Sequence, residues 1–439
     1  MSAAATGNLL RSDNITLPGA PIRPLGMGVL VAGAVAALAV LGMGFTGAAG
    51  VTLKHALAVY HVGAMGVLAM CLGSLFFVMV FHLMGAGWSI VLRRQLENIA
   101  SFLPFAWLLV MPVLVIELVT QGTLFIWMKP VFYADYLLQK KAAYFFAPLA
   151  IVDHDTHEAK TTFVFPAFFA VRALFYGGVW TLLSRRMVAF GRAQEARTDL
   201  QAASKARFTS AWGLLLFALT TAFASFDWLM SLDFKFFSTM WPVWYFAGCA
   251  FSGISLLVLI VARLKAAGRL QGVVTSEHFH DTGKLVFSFT VFWSYIAFSQ
   301  YFLIWYSNIP EETAFFFYRT NEGSPWRPLG IFLIIGHFAA PFLVGLFRPV
   351  KRSPMALGLL AAWALFVHFA DLYYVVRPMV ETAGGGPIQI ARFIWVDVIA
   401  IAGVFAILIG YLLMRIPATP LVSAKDPLIE ESLEHRNYV

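Results

Sequence analysis

The sequence predicts an all-α, polytopic membrane protein of ten transmembrane helices, and three observations carry that reading. Only 12% of the 439 residues are charged and 60% are hydrophobic, whereas a soluble domain needs roughly 25% charged residues. Mean hydropathy is +0.77, which excludes two or three water-facing domains as an explanation of the length. The run 25–46 holds no ionisable residue, and a helix needs about 20 apolar residues to cross the hydrocarbon layer. An open sheet is excluded, because lipid offers backbone N–H and C=O groups no partner.

The elements follow in chain order. Residues 1–24 read as a retained tail, since no short apolar stretch with a small-residue cleavage site opens the chain. Ten apolar segments then occupy 25–46, 57–84, 101–124, 162–184, 209–231, 241–262, 284–307, 328–347, 354–376 and 388–414. They make one membrane domain, 25–414, followed by a tail at 415–439. Basic residues set the expected orientation. Of the 31 Lys and Arg, 20 fall on the side of the tails and even-numbered gaps, counting Lys284 at the end of span seven, and 10 on the side of the odd-numbered gaps, counting Arg392 near the start of span ten, with Arg172 inside span four. Both termini are therefore expected in the cytoplasm.

Two outer segments exceed a simple connection. Residues 125–161 are rich in aromatic side chains and end in Asp153-His154-Asp155-Thr156-His157-Glu158, a pattern that suits a solvated loop better than a metal site. In 308–327, Pro310-Glu311-Glu312 reads as the first turn of a short helix. The stretch 185–207 reads as a charged helical extension of span four.

Several function classes fall away. Cys71 and Cys249 are too few to hold an iron–sulfur cluster, and there is no CxxCH for covalent haem. The net charge of +8 follows membrane topology and gives no reason to expect a nucleic-acid partner. No phosphate-binding glycine loop and no metal-ligand cluster is present, so no cofactor is expected on this chain.

Ionisable groups inside spans are costly and mark functional sites by default. Here they are His61, Glu117, Arg172, Asp227, His337, His368, Asp371 and Asp397. His61, Glu117, Arg172 and Asp227 lie on spans two to five and are expected to form a polar or quinone-binding site in the first bundle. A structural ion pair is the competing reading. Asp371 is one turn from His368 and shares its face, whereas the lone Asp397 reads as structural. His337 and His368 sit at matched depth, as bis-imidazole haem ligation requires, but His82 has no counterpart for a second haem.

Span seven carries a further pattern. Relative to Lys284, an α-helix places Ser288 at about 40°, Tyr295 at about 20°, Ser299 at about 60° and Tyr306 at about 40°. These five form one narrow stripe, and hydroxyls both donate and accept. The stripe, ending at His337, His368 and Asp371, is the expected proton pathway of the second bundle. Its competing reading is helix–helix hydrogen bonding.

Two stretches then carry a resemblance: SFDWLMSLDFKFFSTMWPVWYFAG at 225–248 and HDTGKLVFSFTVFWSYIAFSQYFLIWYSNIPEET at 280–313. Both resemble the ActF subunit of bacterial alternative complex III, which is similar to NrfD/PsrC-like membrane subunits. The resemblance implies two four-helix bundles, spans two to five and six to nine, with spans one and ten peripheral. It implies a subunit of a quinol:cytochrome c (electron acceptor) oxidoreductase in the bacterial inner membrane. That subunit would take part in quinone binding, proton translocation or both, with quinol/menaquinol as its ligand and no redox centre of its own. The implied partners are a paralogous ActC-like membrane subunit, a periplasmic iron–sulfur subunit, multi-haem and mono-haem cytochrome c subunits, and lipids. The alternative is a secondary transporter of a small polar solute or ion. Broken spans at corresponding positions of two halves would favour it, yet Pro104, Pro112 and Pro341 do not correspond.

Overall fold

The computed structural model describes residues 7–129, 132, 136–146, 166–196, 198–380 and 390–437. The cluster from Asp153 to Glu158 lies outside them. Among the described residues the fold is all-α, with ten helices long and apolar enough to cross a membrane. These spans run Ile22–Thr46, Leu53–Met84, Gly87–Thr120, Ala167–Glu195, Leu200–Leu232, Trp241–Ala266, Ser276–Ser307, Arg327–Leu346, Pro354–Val380 and Arg392–Ala418.

Spans two and six form the centre. Span two packs against spans three, five, six, nine and ten, and span six against spans five, seven and nine. Small residues permit the crossing. A Cβ on Gly73 would lie 1.8 Å from the Cys249 carbonyl oxygen, so only glycine lets the two backbones meet there. Spans one and ten pair in the same way, with Gly33 against the Gly403 carbonyl. Close approach through small residues is how membrane helices gain packing energy without a hydrophobic drive between them. Span one otherwise shows its environment Leu25, Val31, Val35 and Leu38, a purely apolar face suited to lipid.

Several boundaries differ from expectation, each for a local reason. The helical extension of span four ends by 196. Asp199 then accepts from the Ala202 amide (2.9 Å) and caps span five, so 200–207 belongs to span five. Span eight is interrupted at Ile334–Ala339 by a π-helical segment that carries His337. The short helix expected after span seven is present at Pro310–Thr320. Its Arg319 is fully buried and donates to the carbonyls of Tyr374 (3.1 Å) and Val375 (2.9 Å), near the end of span nine. Positive charge is favoured at such a helix terminus. Burial draws Arg319 down to about 10, so it stays charged at neutral pH.

The C-terminal segment is not a free tail. Leu421 donates to the Ile15 carbonyl (2.8 Å), and Gln95 reaches the Leu421 carbonyl (2.9 Å). Arg93 pairs with Asp426. Arg94 pairs with Glu97 and Glu195, each at 2.6 Å. By sequence Arg93 and Arg94 fall in the gap between spans two and three. In the fold they are 4% and 1% exposed, because residues 421–433 cover them: Asp426 supplies the counter-charge of Arg93 and the Ser423 hydroxyl accepts from Arg94, whose acids are Glu97 and Glu195.

Candidate functional site

In the first bundle, span four brings Arg172 to face Asp227 of span five. The contact is bidentate, Nε to Oδ2 at 2.9 Å and Nη2 to Oδ1 at 2.7 Å. Tyr176, one turn along from Arg172, donates its hydroxyl to Oδ2 at 2.8 Å. The third guanidinium nitrogen donates to the Tyr144 carbonyl, and the cation sits 4.0 Å from the Tyr144 ring centroid and 4.5 Å from that of Phe168. Both charges are thus buried with their hydrogen bonds made, the condition under which an interior pair survives. Burial first, and the Asp227 carboxylate second, push the Tyr144 phenol above its ordinary range.

Glu117 and His61 lie apart from that pair. The Glu117 carboxylate accepts from the amides of Leu124 (2.8 and 2.9 Å) and Phe125 (2.9 Å). It closes the turn after span three, where Gln121 and Gly122 both adopt positive φ. His61 Nε2 is 2.7 Å from the Trp228 carbonyl. That carbonyl only accepts, so Nε2 carries the proton; Nδ1 has no partner among the described residues. The four residues expected to share a site therefore form an ion-pair network, a loop clamp and a histidine. His61 reaches the ion pair through the backbone of 227–228, and the Glu117 clamp meets His61 through the Phe125 ring, whose centroid is 6.0 Å from the imidazole's.

Beside this network is a cavity of about 240 Å³. Phe145, Phe226, Phe234 and Phe236 give it apolar walls, and Lys141, Tyr144, Ser231, Ser238 and Thr239 supply its polar edge. It touches the ion-pair network twice. Tyr144 lies under the Arg172 guanidinium, and the Ser231 hydroxyl donates to the Asp227 carbonyl at 2.5 Å. Much of the lining belongs to the 225–248 stretch singled out in the sequence.

The second bundle holds a separate buried group. Trp293 of span seven donates its indole N–H to Asp371 Oδ2 at 2.8 Å. The His337 imidazole stacks on that indole, with centroids 3.7 Å apart and planes at 20°, and Phe251 lies 4.9 Å away. His337, His368, Asp371 and Trp293 are all at most 5% exposed. Neither His337 nitrogen has a hydrogen-bond partner among the described residues. His368 faces the Gly66 backbone without a hydrogen bond of normal geometry. π-Helical segments are frequent at functional sites, and this one places His337.

The hydroxyl stripe of span seven is corrected by the fold. Lys284, Ser288, Tyr295 and Tyr306 are exposed on the outer side of the bundle and Ser299 is half-buried. The inward face consists of Val286, Thr290, Trp293, Ile296, Gln300 and Ile304. The stripe therefore does not lead through the bundle to His337, His368 and Asp371. Helical projection identifies the residues that share a face but leaves open which face packs inward.

Three participants were missed in the sequence. Tyr176 was signalled by its four-residue spacing from Arg172, whereas nothing in the sequence marks Trp293, whose inward position emerges only in the fold. The third is His55, whose Nε2 lies 2.5 Å from Asp397. Asp397 also accepts from Tyr373 at 2.5 Å and Arg377 at 3.3 Å, a closed network that accounts for a carboxylate on the last span. Among the described residues, no three His, Cys, Asp or Glu side chains converge as metal ligands.

No protein-family model and no curated protein sequence matches the chain.

Proposed function

We propose that this chain is a membrane subunit of a bacterial quinol:cytochrome c (electron acceptor) oxidoreductase of the alternative complex III type. It handles quinol and protons, and the electrons leave through partner subunits. The observation that carries this reading is the aromatic cavity adjoining the Arg172–Asp227–Tyr176 network. Its volume is below the roughly 300–1,000 Å³ of drug-sized pockets, which suits one ring system with its isoprenoid chain running out into lipid. Quinol oxidation releases two electrons and two protons, and polar groups at the ring edge must accept those protons. Tyr144 and Ser231 stand at that edge, where their hydroxyls both donate and accept and so relay a proton towards the Asp227 carboxylate behind them, while the Lys141 ammonium only donates, towards a ring oxygen.

The Asp371–Trp293–His337 group supplies the second half of the proposal, proton transfer in the second bundle. An indole N–H donates but cannot accept. Trp293 therefore holds Asp371 and separates it from His337, and a passing proton needs water or a turn of the indole. The interruption of span eight gives no support to a transporter, because span four, its counterpart in the other bundle, is continuous over Ala167–Ala196.

A photoreactive azido-quinone tests the binding half. Illumination of the native complex is expected to label peptides from 136–146 and 226–239. Labelling confined to other chains or to the second bundle would contradict it.

The proposed orientation places both termini in the cytoplasm and the 308–326 segment outside. Cys71 and Cys249 are buried, so introduced thiols report cleanly. In intact cells an impermeant maleimide should label Lys140→Cys and Thr320→Cys and spare Leu200→Cys. Labelling only Leu200→Cys would invert the topology.

A further inference from the structure

We propose that the inner ends of spans seven and eight form a binding site for the phosphate headgroup of an anionic glycerophospholipid. The site lies where the short helix Arg348–Arg352 packs against the foot of span seven. The Lys351 stem covers Gly283, where a Cβ would come within 2.9 Å of it. Its ammonium sits 5.5 Å from the Phe287 ring centroid. Burial first, and the Lys284 charge second, draw the Lys351 ammonium below its ordinary range, so two cations are held near each other.

Cations outnumber the acids open to them. Glu277 is taken by Arg352. Asp281 is shared between Lys284 at 3.0 Å and His435 at 2.6 Å. Arg348 and Lys351 have no acidic partner among the described residues.

His280 adds an independent observation. It lies one turn before Lys284 on the same face. The charges of Lys284, Lys351 and Arg348 all act on its ring, with Asp281 opposing them. The imidazole is 6% exposed, and neither of its nitrogens has a hydrogen-bond partner among the described residues. A neutral imidazole carries one N–H donor, and leaving it unpaired in the interior is costly. A phosphate oxygen held by the neighbouring cations is an acceptor for it.

The surroundings select a lipid over a soluble phosphate. Leu343, Leu346 and Phe347 are 58%, 53% and 64% exposed, and their spacing puts them on one side of span eight. They offer acyl chains an apolar strip leading away from Arg348. General contact with lipid calls for none of this, and basic residues at inner loops as a class need no bound ligand. Here three of them converge on one buried imidazole. The site is across the membrane from the aromatic cavity, so it stands whether or not that cavity takes quinol.

The test places the full chain, with the subunits it carries, in phosphatidylcholine nanodiscs. These contain a small fraction of phosphatidylglycerol with a diazirine at the top of one acyl chain, or of phosphatidylcholine with the same diazirine. On illumination the phosphatidylglycerol probe is expected to label peptides 280–288 and 343–352 about 25-fold more, about fivefold for each unpaired cation. Arg348→Gln with Lys351→Gln should abolish that preference, and Arg348→Lys with Lys351→Arg should keep it. Inorganic phosphate at matched ionic strength should leave the labelling unchanged. Equal labelling by the two probes in the unaltered chain would overturn the proposal, as would a preference that survives in the glutamine variant. Displacement of the probe by inorganic phosphate would also overturn it, by assigning the site to a soluble anion.

Discussion

Asp227→Asn is expected to destabilise the protein by about 3–5 kcal/mol, the usual cost of removing one partner from a buried ion pair. Arg172 would keep its charge in an interior where Asp227 is 0% exposed, and Tyr176 would lose a charged acceptor for its hydroxyl. Unfolding in detergent, followed by tryptophan fluorescence, measures the loss. The compensating double variant Arg172→Met with Asp227→Leu separates stability from function. Replacing both members of a buried pair with apolar residues is often neutral or stabilising, so this variant should recover most of the lost stability. If the pair serves quinol chemistry beside the aromatic cavity, turnover stays low in the refolded double variant. Restored turnover would make the pair purely structural.

Asp371→Asn is expected to slow proton transfer through the second bundle by about 10²-fold, the lower end of what a positioned acid–base group contributes. Asparagine keeps an oxygen for the Trp293 N–H, now donated at 2.8 Å, so packing should survive. In vesicles, protons moved per electron should fall while quinol oxidation in the presence of an uncoupler is spared. Tyr295→Phe serves as the contrast. Its hydroxyl faces away from the bundle, so the proton stoichiometry should not change. A drop with Tyr295→Phe and none with Asp371→Asn would return the pathway to the outer stripe.

The sequence exposed the spans because each needs a long apolar run: all ten are found, and spans three, four, five and seven each continue past the apolar run at one end, to Gly87, Glu195, Leu200 and Ser276, where the helix carries polar residues. It exposed the buried ionisable groups equally well, since a charge within an apolar run is visible without coordinates. His368 and Asp371 share a face by their three-residue spacing, and that spacing holds in one continuous helix, Pro354–Val376. Pairing was harder to read. Glu117 carries no sequence mark that commits it to the 124–125 amides and not to Arg172, because the choice depends on the path of a turn. Arg93 and Arg94 gave no sign of burial because their cover, residues 421–433, is more than 300 positions away in the chain. The stripe on span seven misled for a different reason. Polar residues of membrane helices usually face inward, and here Lys284, Ser288, Tyr295 and Tyr306 face out.

Affinity purification of this chain from its native membrane in mild detergent, with quinol:cytochrome c turnover measured on the eluate, tests the central claim most directly. The expected result is a complex containing an iron–sulfur subunit, c-type cytochromes with their α-band absorbance, a second polytopic membrane subunit, and inhibitor-sensitive quinol oxidation. Elution of the chain alone, or with copies of itself, without haem c and without quinol oxidation, would contradict the account.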